Sequence, residues 1–127
     1  MRTVGARLVS VEEGHVVIEW PFSSNLTQQH GFLHAGVVAA VADSACGYAA
    51  LSLMPRGVAV LTVEFKVNLM RPAAGEHFRA VGKVIRAGRT LSVCGADVQA
   101  RHAGTETTIA IMQGTIMAVR DNASLVD

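Results

Sequence analysis

Cysteine is scarce in this chain: two residues in 127, Cys46 and Cys94, each inside a stretch that reads as regular structure. A disulfide-stapled scaffold is disfavoured, and buried thiols in a reducing cytoplasm are expected. Charge of one sign is missing too. Eleven Lys and Arg against ten Asp and Glu leave a net +1 with no basic run, so nucleic acid is not an expected partner. Residues Met1–Gly5 hold no apolar segment, so export is not expected. There is no internal repeat, low-complexity tract or interdomain linker, and no Gly-x-Ser-x-Gly, which disfavours a serine hydrolase.

Hydrophobic residues, by contrast, make up half of the chain, and charged residues only 17%. Such a balance supports a packed core in a single domain over residues 1–127, with 120–127 as a polar, frayed tail. A mean hydropathy of +0.36 is high for this length and suggests surface buried between subunits. The longest run of low charge, Gly36–Leu53, reaches the lower length limit of a membrane span. It carries Asp43, Gly36, Ser44, Gly47 and Ser52, however, and lies among strand-like segments, so it reads as a buried core helix and no membrane association is expected.

Val4–Val11 and His15–Trp20 read as strands, Pro21–Phe32 as irregular, and Gly36–Leu53 as the one long helix, stopped by Met54-Pro55-Arg56-Gly57. Four strands follow: Val58–Met70, His77–Arg86, Thr90–Arg101 and Thr105–Val119, with turns at Pro72–Glu76 and Ala87–Arg89. In the first, alternation places Val63, Phe65, Val67 and Leu69 on one face and Thr62, Glu64, Lys66 and Asn68 on the other. Consecutive strands joined by short turns imply an antiparallel sheet, and a single apolar helix needs that sheet to curve around it. The class is α+β: about six antiparallel strands wrapped around one central helix. The sheet's other face stays uncovered, a second reason to expect a dimer or tetramer.

Asp43 is the only charged residue between His34 and Arg56, and its helix neighbours Ala39, Ala40, Cys46, Gly47 and Ala50 are all small. A lone carboxylate in such a trough is either a structural acid satisfied by backbone donors or a general base or nucleophile tuned by burial. Gly47 costs helix stability and implies close packing. The segment before the helix, Gln28 to Gly36, ends at a helix N-terminus, whose free N–H groups suit an oxyanion. Asp43 lies two turns further along, roughly 11 Å away, so acid and amides can cooperate only if a second chain brings them together. His30 and His34 are spaced like metal ligands, but Gly31 breaks a helix there and no cysteine is near, so no metal is expected. Cys46 lacks a base and sits beside an acid, which disfavours a thiol nucleophile. Tyr48 and Trp20 read as core.

The series Gln28-x-x-Gly31-x-x-His34-Ala35-Gly36, with Asp43 nine positions after His34, resembles the hotdog-fold thioesterases of the phenylacetic-acid-degradation and 4-hydroxybenzoyl-CoA thioesterase type. So do Leu61–Met70 with the following Arg71-Pro72-Ala73, and Gly88-Arg89-Thr90-Leu91. The resemblance covers nearly the whole chain. It implies an acyl-CoA thioesterase with no separate cofactor, CoA being part of the substrate, and a site between two subunits. It further implies that Asp43 attacks the thioester or activates water, and that the N–H of Ala35 polarises the carbonyl. Gln28 would position carbonyl or water, His34 would support the loop or the leaving thiolate, and Thr62 would assist the acid. Gly36, Gly88, Arg89 and Thr90 would contact substrate, Arg89 through a CoA phosphate. Alanine replaces the first glycine of the family's His-Gly-Gly, which preserves the donor provided that Ala35 avoids positive φ. Two alternatives accompany this reading. A hotdog enoyl-CoA hydratase or dehydratase would use an Asp–His pair in one site, which the two-turn gap disfavours. A non-catalytic acyl-CoA-binding protein would have no need of the acid.

Overall fold

The computed structural model describes residues 1–120; the expected frayed tail lies, apart from Arg120, outside them. Strands β1 (Arg7–Glu12) and β2 (His15–Pro21) precede helix α1 (Ala35–Leu51), and β3 (Ala59–Leu69), β4 (His77–Arg86), β5 (Leu91–His102) and β6 (Thr105–Val119) follow it. The six strands form one antiparallel sheet in the order β1-β2-β4-β5-β6-β3, and α1 lies across one face, against every strand except β1. The α+β expectation holds, as does each long element to within one or two residues.

Three local expectations are corrected. Val4 belongs to a one-turn 3-10 segment, Arg2–Val4, because Gly5 at φ 67° turns the chain before β1 begins at Arg7. Pro72–Glu76 does not join paired neighbours. β3 pairs with β6, so residues 70–76 cross one end of the sheet to reach β4, held by the Met70 N–H on the Ile109 carbonyl and the Glu76 N–H on the Arg101 carbonyl. Strand β3 also breaks its own alternation. Thr62 pairs with Ile116 and Glu64 with Thr115, which leaves Val63 as a bulge. Thr62 therefore lies on the helix side, with Phe65, Val67 and Leu69, rather than with Glu64, Lys66 and Asn68.

The core forms where small residues let α1 sink onto the sheet. Val38, Val41, Ala42, Ala45, Cys46, Ala49 and Ala50 are buried against inward-facing residues that include Val16, Ile18, Trp20, Phe78, Ala96, Val98, Met112 and Ile116. Trp20 and Phe78 stack with ring centroids 5.4 Å apart. Each such large side chain contributes about 1.5–3 kcal/mol by leaving water. Tyr48 is not core; it projects from α1 and is 42% exposed.

Gly47 needs no close approach within the protomer. A Cβ there would meet only Val60, at 3.9 Å, an ordinary contact. Gly47→Ala is therefore expected to stabilise the fold by about 0.5–1 kcal/mol through helix propensity, read as a higher urea midpoint with unchanged slope.

Both cysteines are free and fully buried. Burial pushes the Cys46 thiol up to about 12, with smaller contributions from Cys94 and Asp43, and pushes Cys94 up to about 11. The unfolded chain releases these protons first, from pH 9 upward, so their stabilising contribution is complete below pH 9 and is lost as pH rises. Between pH 9 and 11 the unfolding free energy from urea titrations is expected to fall by about 1.4 kcal/mol per pH unit per thiol beyond what a C46A/C94A variant shows.

Candidate active site

The loop before α1 is closed by its own backbone. The Gln28 N–H donates to the Phe32 carbonyl at 2.8 Å and the Gly31 N–H to the Gln28 carbonyl at 3.0 Å. Gly31 takes φ 83°, a conformation that side chains disfavour, so glycine suits this turn. The Gln28 side-chain oxygen accepts from the His30 N–H. That bond fixes the amide's orientation and leaves its NH2 group able to donate elsewhere.

His34 is the N-cap of α1. Its Nδ1 accepts from the Gly36 N–H at 3.0 Å, and its carbonyl accepts from Val37 and Val38. One N–H of the first turn, that of Ala35, has no acceptor among the described residues. Ala35 has no positive φ, so the alanine costs this donor nothing. Ala35 and Gln28 line a cavity of about 460 Å³ whose other walls are Phe32, Leu33, Val38, Leu69, Met70, Arg71, Pro72, Ala73 and Ile109. Two residues that carry donors thus line a largely apolar space at the positive end of a helix, where developing negative charge is stabilised.

Asp43 is not in that lining. It sits half-buried on the flank of α1, where its Oδ1 accepts from the Thr62 hydroxyl at 2.7 Å. Cys46 and Ala50 point away from it into the core, so the expected trough reduces to Ala39, Ala40 and Gly47. The Val63 bulge is what brings Thr62 to the acid, and strict alternation gave no sign of it. Eight residues of helix separate Ala35 from Asp43, about 12 Å.

Gly88, Arg89 and Thr90 form the β4–β5 turn at the other end of the sheet, beside the C-terminal end of β6. The Ala118 N–H donates to the Thr90 carbonyl and Arg120 to the Arg89 carbonyl. A Cβ on Gly88 would lie 2.1 Å from the Leu91 carbonyl oxygen, so the turn requires glycine. Within one protomer the anticipated residues thus fall into three groups: Gln28 with His34, Ala35 and Gly36; Asp43 with Thr62; and the distant turn. Arg71-Pro72-Ala73 stood out in the sequence only as part of the resemblance, and nothing there placed these residues at the cavity.

Residues 30–107 match the thioesterase superfamily profile. The chain belongs to that superfamily. A thioesterase family protein from Silicibacter pomeroyi is 52% identical, with a TM-score of 0.93 over 94% of this chain and 88% of that one. A protein from Saccharolobus solfataricus is 32% identical over 68% of this chain, a match that spans 61% of that relative's length. The acyl-coenzyme A thioesterase PaaI of Escherichia coli is 24% identical over 89% of this chain and 77% of its own. The hotdog fold and the family resemblance agree with these matches. Among the described residues, no helix is long and apolar enough to cross a membrane.

Proposed function

We propose that the chain hydrolyses an acyl-CoA thioester to the free acid and CoA at a site shared by two protomers. The observation that carries this reading is that Ala35, whose N–H is free, and Gln28 line one largely apolar cavity, with the acid held two turns away. The thioester carbonyl sits against those donors. Asp43 of a second protomer acts on it as general base or nucleophile, and its Thr62 keeps the carboxylate oriented. Supplying the base from a second chain closes the 12 Å gap that one protomer leaves.

The surface fits such a pairing. β3 is an edge strand, and Leu61, Val63, Phe65, Leu69 and Met70 on and just beyond it are exposed, as is Tyr48 on α1. An exposed apolar edge strand offers unpaired backbone groups and a hydrophobic strip to another chain. In a two-fold arrangement with opposed helices, the partner's Asp43 and its β4–β5 turn both move toward the first protomer's cavity. That places a guanidinium, Arg89, where CoA phosphates would leave it. A panel of aromatic and aliphatic acyl-CoA thioesters, assayed by thiol release with wild type and Asp43→Asn in parallel, tests the reading. Absence of hydrolysis across the panel would end it.

A further inference from the structure

Of the eleven residues lining the 460 Å³ cavity, Arg71 alone is charged. It follows β3 on the crossing segment, and its position is set from two sides. Its backbone N–H donates to the Ile109 carbonyl at 3.2 Å, and its Nη1 donates to the Thr108 carbonyl at 2.7 Å. A guanidinium has five N–H donors, so this anchor leaves most of them unused. No carboxylate forms an ion pair with it among the described residues. Arg71, Pro72 and Ile109 also line a second cavity of about 440 Å³ that runs toward the β5–β6 turn. Arg71 therefore borders two spaces, one of which is also lined by Ala35.

We infer that Arg71 is a specificity residue that binds an anionic oxygen group on the thioester, a carboxylate on the acyl chain or a phosphate of the carrier. This inference rests on the proposed thioesterase reading and adds to it the charge of the substrate. Three physical points favour it. A planar, anchored guanidinium matches carboxylate and phosphate geometry and loses little freedom on binding. Arg71 is exposed, and the flanking Met70, Pro72, Phe32 and Ile109 are apolar, so no neighbouring side chain competes for its free donors. The Thr108 carbonyl holds the cation in place without neutralising it.

Binding of non-hydrolysable thioethers separates this inference from catalysis. S-alkyl-pantetheine, S-(ω-carboxyalkyl)-pantetheine and S-alkyl-CoA of equal chain length would be titrated calorimetrically into wild type, Arg71→Met, Arg71→Lys and Asp43→Asn. Arg71→Met should weaken the carboxylate-bearing or the phosphate-bearing thioether about tenfold, while binding of S-alkyl-pantetheine stays within twofold. Which thioether responds identifies the source of the anion. Arg71→Lys should recover part of the loss, and Asp43→Asn should not reproduce a loss confined to the anionic thioether. Equal weakening of all three thioethers by Arg71→Met, or no weakening of any, overturns the inference, as does a change in oligomeric state that accounts for the loss. Failure of wild type to hydrolyse the acyl-CoA panel overturns the thioesterase reading and leaves these binding results to be read separately.

Discussion

Asp43→Asn is expected to lower kcat for acyl-CoA hydrolysis by about 10²- to 10⁴-fold, the range for loss of a positioned general base. The substitution keeps the size and an oxygen acceptor for the Thr62 hydroxyl, now 2.7 Å from Oδ1, so the fold and the urea midpoint should change little. What disappears is a group that can take a proton or attack a carbonyl. A second measurement locates the site. Gln28→Ala alone should also depress activity, since it removes the carboxamide from the cavity. Mixing unfolded Asp43→Asn and Gln28→Ala chains and refolding them together should restore activity to roughly a quarter of wild type. Half of the random dimers are mixed, and each mixed dimer holds one intact site of two. If the mixture remains as inactive as its components, the acid and the Ala35 donor do not meet across a junction of two chains.

The second large effect concerns stability. Gly82→Ala is expected to destabilise the protein by about 3 kcal/mol or more, and Gly82→Val to prevent soluble expression. Gly82 lies on the inner face of β4, beneath α1. A Cβ built there falls 2.3 Å from the Ala45 carbonyl oxygen and 2.4 Å from its carbon. Those atoms are helix backbone, which no rotamer change can clear, so α1 would have to lift from the sheet along its buried face. Domains of this size are stable by about 5–15 kcal/mol, so the loss is a large fraction of the whole and should lower Tm by about 10 °C or more. Gly47→Ala is the control: one methyl added to the same helix, with Val60 at 3.9 Å as its nearest contact, should raise Tm instead. If both variants behave alike, the separation of helix and sheet is not set at Gly82.

Much of this protein was legible in the sequence because local chemistry and burial agreed. Gly36–Leu53 is too long and too alanine-rich for a strand, and the helix occupies Ala35–Leu51. The alternating stretches after it pair as strands because one side of each must face that helix. Asp43 stood out for a similar reason: a lone acid in an apolar helix is costly unless it is given a partner. The segment Gln28–Gly36 was recognisable by its residue types, and the structure adds how they act. Gly31 supplies the positive φ, His34 caps α1, and the N–H of Ala35 is left over.

Other features depend on contacts between residues far apart in the chain, which no local pattern encodes. A period of two cannot announce an inserted residue. The bulge at Val63 exists because β3 must stay in register with β6 on both sides of it, and it alone turns Thr62 toward Asp43. The pairing of β3 with the last strand rather than the next one is equally non-local, and it converts Pro72–Glu76 from a hairpin turn into the crossing that holds Arg71 at the cavity. Gly82 is unremarkable in a strand until α1 is laid over it. The sequence by itself determined which residues are chemically unusual, because charge, size and backbone freedom belong to single side chains. Tertiary structure decided which of them meet, because register, crossing and helix–sheet separation are set by the packing of the whole chain.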